Sequence, residues 1–185
     1  MKSWIFIAII VVLVALIVLL YNRLVALRQA RKNAFADIDV QLKLRYDLVP
    51  NLVNTVKGYA KHEREVFEQV TEARSQVGRA HSIKDRAQAE GMLSSALMGL
   101  FAVAENYPDL KANENFIGLQ KELSDIENKV AAARRYFNNA TNELNTKVQQ
   151  FPSNIIAKMF GFHTEEFFDL GGEREETKKP VDVKF

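Results

Sequence analysis

The stretch WIFIAIIVVLVALIVLL, from Trp4 to Leu20, contains no charged residue. At ~1.5 Å per helical residue it reaches roughly 26 Å, and Tyr21 extends it toward the ~30 Å hydrocarbon core of a bilayer. The β-branched run Ile9–Val12 would weaken a helix in water and costs nothing in lipid. Trp4 and Tyr21 stand at the two ends, where amphipathic rings prefer the membrane interface. A cleaved signal peptide is the alternative. Its apolar region is usually ~7–15 residues, and no small-x-small site follows before YNRLVALR, so the run reads as an uncleaved anchor. Lys2 precedes it, whereas Arg23, Arg28, Arg31 and Lys32 follow. That bias places the N-terminus outside and the longer C-terminal part in the cytoplasm, with the membrane crossed once.

Beyond the anchor the sequence reads as helix. The 8 glycines and 4 prolines are few for 185 residues, and the formal net charge of +2 gives no field that would gather nucleic acid. With no cysteine, disulfides, thiolate metal sites and thiol nucleophiles are excluded. Four periodic segments follow. Leu24, Leu27, Arg31, Phe35, Ile38, Leu42 and Tyr46 share one helical face, and nothing after Leu20 separates it from the anchor. Leu52, Val56, Tyr59, Glu63, Val66, Val70 and Ala73 form a second face running to about Arg79. Ala89, Leu93, Ala96, Leu97, Leu100, Phe101 and Ala104 form a third, with Ser82 as cap and Asp85 in its first turn. Phe116, Leu119, Leu123, Ile126, Val130, Ala133, Phe137, Ala140, Leu144, Val148 and Phe151 form a coiled-coil-like seam that Asn113 caps and Pro152 ends.

Pro50 decides how the first two segments connect. An interior proline costs about 3 kcal/mol, but in a first turn the bond it removes is absent anyway. Asp47, three residues earlier, is a good cap, so YDLVP predicts a tight corner at Asp47 rather than a kink in one long rod. The expected fold is all-α: an anchor (1–22), an antiparallel up-and-down four-helix bundle (23–168) and a charged, disordered tail (169–185).

The stretches RYDLVPNLVNTVKGYAKHERE, LFAVAENYPDLKANENF, LQKELSDIENKVAAARRYFNNA and FPSNIIAKMFGF resemble, in order, the signature stretches of the LemA family. The resemblance runs from about Tyr21 to Phe168 and is weakest from Gly78 to Arg86. It implies bacterial proteins with one N-terminal anchor, here in the inner membrane of the cell, and an up-and-down four-helix bundle. It implies no reaction. Family members are described beside membrane proteases and other envelope proteins.

The residues themselves point to no catalytic chemistry. HEREV, from His62, lacks the second histidine of the zinc-protease helix, and a helix cap lies between His81 and Asp85, four residues on, so His62, His81 and His163 read as solvated histidines. No phosphate loop or nucleophile elbow is present, so no cofactor, metal or enzyme activity is expected. Asp39, Gln41 and Arg45 lie beside the apolar stripe. They are either a solvated flank or a polar network with the row Asn138, Asn142 and Asn145, fixing register or marking a partner strip. IIAKMFGF is predicted to fold as a short helix after Pro152 and to turn at Gly161. It would bury Ile155, Ile156, Met159 and Phe160 against the bundle end or a partner. With Phe162, Phe167 and Phe168 this apolar surplus is a plug, an interfacial membrane contact or a self-association patch. The expected function is non-enzymatic: binding other envelope proteins or itself at the membrane. The alternatives are an accessory or substrate-presenting factor for a membrane protease, and a lipid-binding or membrane-shaping protein. The expected partners are the lipid bilayer, membrane or envelope proteins with a protease among them, and a second copy, with no nucleic acid.

Overall fold

The computed structural model describes residues 2–169. The charged tail expected from residue 169 lies, but for Asp169, outside the described residues. Among the described residues the secondary structure is entirely helical: α1 (Lys2–Tyr59), α2 (Arg64–Arg79), α3 (Ile83–Ala104), α4 (Pro108–Lys111), α5 (Glu114–Gln149) and α6 (Ser153–Met159). Two compact units are formed by the described residues, 2–38 with Ala133–Phe167, and Asp39–Ala132 with residues 168–169. Helices α1 and α5 contribute to both.

The predicted corner at Asp47 is absent. Helix α1 is 58 residues long and contains Pro50. Asp47 does not cap; its carboxylate accepts from Lys43 Nζ at 3.0 and 2.8 Å, an i,i+4 pair. The chain turns instead over residues 60–63, after Tyr59 and before α2. No side chain caps α2 at Glu63. This turn is held from far along the chain: Tyr107 Oη donates to Glu63 Oε1 at 3.3 Å, and Asn113 Nδ2 donates to Tyr59 Oη at 2.9 Å. The face expected over Leu52–Ala73 is therefore two faces. Leu52, Val53 and Val56 are buried at the end of α1, Ala60 just after it, and Phe67, Val70, Ala73 and Val77 in α2.

In the unit built around Asp39–Ala132, contacts fix the helix directions. Tyr46 meets Arg74 and Lys57 meets Phe67, so α2 runs against α1. Asp39 pairs with Arg86 and Arg45 with Glu90, so α3 runs with α1. Arg45 pairs with Glu127 and Tyr59 with Asn113, so α5 runs against it. Helix α3 is apolar enough by composition to cross a membrane, but it buries Ala87, Leu93, Leu97 and Leu100 together with Glu90, and it is a core helix of this unit. The Ser82 and Asn113 caps are both present: Asp85 N–H donates to Ser82 Oγ and Phe116 N–H to Asn113 Oδ1, each at 3.0 Å.

In the other unit α5 again runs against α1. Phe35 and Phe137 stack at 5.7 Å between centroids, and Arg31 Nε donates to Thr141 Oγ1 at 3.1 Å. Phe137 and Leu144 are fully enclosed, as the seam requires. Phe151 is not part of that seam: α5 ends at Gln149, ahead of Pro152, and the Phe151 ring is exposed. Trp4 and the apolar residues from Ile5 to Leu19 have no protein cover.

Candidate functional site

Two constellations draw together the residues that the sequence singled out. The first is built around α6. Ser153 Oγ lies 2.6 and 2.8 Å from the carbonyls of Lys147 and Gln150, which share its one hydroxyl proton, tying the start of α6 to the end of α5. At its other end Phe160 N–H donates to Ile156 O at 3.0 Å and Phe162 N–H reaches back to Ala157 O at 2.9 Å. Gly161 between them has φ +71°. This is the left-handed C-terminal turn that glycine favours, because a side chain there crowds the following carbonyl.

The turn delivers Phe162 back onto α6. Leu24, Ile156, Ala157 and Phe162 form one buried cluster, flanked by Leu20, Tyr21, Val25 and Val148. The Tyr21 ring lies 4.7 Å from that of Phe160 and 6.0 Å from that of Phe162. The Arg28 guanidinium sits 4.7 Å over the Phe162 ring, within cation–π range. The short helix and the turn at Gly161 are present as the sequence predicts. The burial is divided. Ile156 and Phe162 are enclosed, whereas Ile155, Met159 and Phe160 stay on the surface, at 57%, 62% and 49% exposure. A seven-residue helix laid on α1 and α5 can turn only one side to them, and Ile156 and Ala157 occupy it.

Past Gly161 the chain is strapped back along the same unit. Asn145 pairs with the Glu165 backbone both ways, accepting from its N–H at 2.7 Å and donating to its carbonyl at 2.9 Å. Arg31 Nη2 donates to Glu166 O at 3.0 Å, and Arg31 Nη1 lies 3.2 Å from Glu165 Oε2. Burial lowers the Arg31 pKa, opposed by Glu165 and Glu166. Phe168, counted in sequence with the exposed apolar surplus, is buried.

The second constellation lies in the other unit. Arg45 is 3% exposed. Its Nη1 donates to Glu90 Oε2 at 3.3 Å, and its Nη2 donates to Ser94 Oγ at 2.9 Å and Glu127 Oε1 at 3.1 Å. Arg86 lies 3.6 Å from Glu90 Oε1, an ion pair too long for a hydrogen bond, and its Nη2 lies 3.2 Å from Asp39 Oδ1. Gln41 Oε1 is buried beyond reach of a protein donor. Burial pushes the Glu90 carboxyl up, although Arg45 and Arg86 pull it down.

The predicted network of Arg45 with the asparagine row is thus replaced. Glu90, Ser94 and Glu127 are its partners; Asn145 serves the strap, Asn138 is half-buried and Asn142 is exposed. Periodicity finds inward positions and not which polar groups meet there. Glu90 was legible in principle, since it stands three residues before Leu93 and seven before Leu97, on the buried face of α3. The three histidines are separate, at residues 62, 81 and 163, and no group of three metal-ligating residues occurs among the described residues.

An arginine bonded to three side chains on two other helices and an apolar helix turn are parts for holding and docking helices, and a sequence profile of the LemA family matches residues 34–185. The chain belongs to the LemA family. It is similar to magnetosome protein MamQ 2 of Paramagnetospirillum magneticum, with 22% identity over 86% of this chain and 68% of that protein. It is also similar to MamQ of Magnetospirillum gryphiswaldense, with 22% identity over 80% and 64% of the two chains. Protein LemA of Metamycoplasma hominis is 24% identical over 80% of this chain and 68% of its own.

Proposed function

We propose that this LemA-family chain is a single-pass membrane protein whose helical part lies in the cytoplasm. There it acts by binding other membrane proteins or a second copy of itself, without catalysing a reaction. One observation carries the reading. Every apolar side chain from Trp4 to Leu19 that is large enough to matter is exposed on α1. Leaving each in water forfeits on the order of 1.5–3 kcal/mol, so lipid is the cover that suits a helix apolar on all sides. The basic residues after the span, Arg23, Arg28, Arg31 and Lys32, support the orientation. A holding role suits the rest of the molecule: Arg45 on α1 bonds to Glu90 and Ser94 of α3 and to Glu127 of α5, which keeps these helices in register.

Photo-crosslinking in intact membranes from exposed positions such as Ile117 and Tyr136, read by mass spectrometry, tests it. Reproducible adducts with one membrane protein or with a second copy support the reading. If that protein is a protease, the chain is an accessory factor or substrate presenter. Adducts with lipid alone would replace it by the membrane-shaping reading, which the exposed face of α6 favours.

A further inference from the structure

We propose that α6 is a foot resting on the bilayer that α1 crosses, with Ile155 and Met159 inserted among the headgroups and upper acyl chains. The inference rests on the reading of α1 as a membrane span.

The outer side of α6 is apolar. Ile155 and Met159 are 57% and 62% exposed, and Phe151, four residues before Ile155, is 75% exposed. Within α6, positions 155 and 159 stand four apart on one side, while Ile156 and Ala157 face the cluster inside; Phe151 lies in the turn just before the helix. The height of this side is fixed by contacts in the same unit. Leu20, Tyr21 and Val25 pack on the cluster, and the Phe160 ring stacks on Tyr21 at 4.7 Å. Leu20 ends the aliphatic run, with Tyr21 next and the first charge at Arg23, so α6 stands within about one helical turn of the edge of the hydrocarbon.

That level is where amphipathic segments bury an apolar side ~5–10 Å deep. The charges around it suit phosphate headgroups. Lys158 projects from α6, and Arg23 and Arg28 follow the span on α1. A second copy of the chain is a poorer occupant. Four part-exposed side chains fall well short of the ~800 Å² per partner of an ordinary stable interface, whereas lipid needs no minimum patch. Gly161 and the Asn145–Glu165 pair keep the foot from swinging away.

Fluorescence of the whole chain in liposomes of phosphatidylglycerol and phosphatidylethanolamine tests the foot. Trp4 is the only tryptophan, so Trp4→Phe supplies a silent background for Ile155→Trp, Met159→Trp and a control, Met98→Trp, at an exposed position of α3. Each is first washed at alkaline pH to score insertion. The indoles at 155 and 159 should emit to the blue and lose most of their intensity to lipid brominated just below the headgroups, while aqueous iodide barely touches them. The control should show the reverse. An inserted chain whose indoles at 155 and 159 are quenched by iodide and spared by brominated lipid overturns the foot alone. Blue emission spared by both quenchers also overturns it, because protein would then be the cover. A chain that washes off overturns the span and the foot together.

Discussion

Arg74 Nε donates a hydrogen bond to the backbone carbonyl of Tyr46 at 3.1 Å, and the Arg74 guanidinium lies 3.9 Å from the centroid of the Tyr46 ring. Tyr46 O is the acceptor that Pro50, four residues on and lacking an N–H, leaves without its helical donor. A side chain from α2 fills the gap that a proline opens in α1, which lets α1 run on to Tyr59.

This compensation predicts a coupling. Pro50→Ala should raise stability in denaturant unfolding, since it restores a helical N–H. Arg74→Ala should cost more with proline at position 50 than with alanine there, the difference being about 1 kcal/mol. Equal costs in both backgrounds would show that Arg74 does not substitute for the missing donor.

The buried ion pair makes a second prediction. Arg45→Met alone leaves Glu90 enclosed beside one more distant guanidinium, and should cost about 3–5 kcal/mol. Arg45→Met with Glu90→Leu removes both charges and should recover most of that loss. A double variant no more stable than the single one would mean that the cluster supplies net stability.

Glu90 should also leave a mark on the pH dependence. Burial holds its pKa above the usual carboxylate value, against the pull of Arg45 and Arg86 and with Asp39 adding to the rise. The folded state therefore binds the proton more tightly than the unfolded chain does. Its stabilising contribution is full below the unfolded pKa of about 4.3 and is lost as pH rises through the raised folded value. Glu90→Gln, which mimics the protonated form, should gain on the wild type as pH rises from there. The difference in melting temperature across that window checks this; a gain that shrinks with rising pH would reverse the sign assigned to burial.

The strap makes a fourth. Asn145→Ala removes two hydrogen bonds to the Glu165 backbone, each worth about 0.5–1.5 kcal/mol. Hydrogen exchange at the Glu165 amide should accelerate strongly while amides around Leu97 keep their protection. Unchanged exchange at Glu165 would show that Arg31 holds the strap alone.

The helices were legible because their evidence is local. The α5 seam from Phe116 to Leu144, the caps at Ser82 and Asn113 and the turn at Gly161 all follow from neighbours in sequence. The corner was misplaced for the converse reason. Asp47 and Pro50 match a helix start locally, but the donor that lets the proline sit inside α1 comes from 28 residues away. The true turn after Tyr59 carries no cap or proline, and is fixed by Tyr107 and Asn113. Arg45 was recognised as a marked residue and given the wrong partners, since Glu90, Ser94 and Glu127 meet it only once helices from separate stretches have packed.

The account depends most on α1 crossing a bilayer, and the cysteine-free sequence allows a direct test. Ser3→Cys and Lys61→Cys each give the chain a single thiol, on either side of the apolar run and both exposed. In intact spheroplasts a membrane-impermeant maleimide should label position 3 at once and position 61 only after permeabilisation. The opposite pattern would keep the span and invert the orientation. Equal labelling of both positions in intact spheroplasts would contradict the span, and with it the proposed membrane setting of this protein.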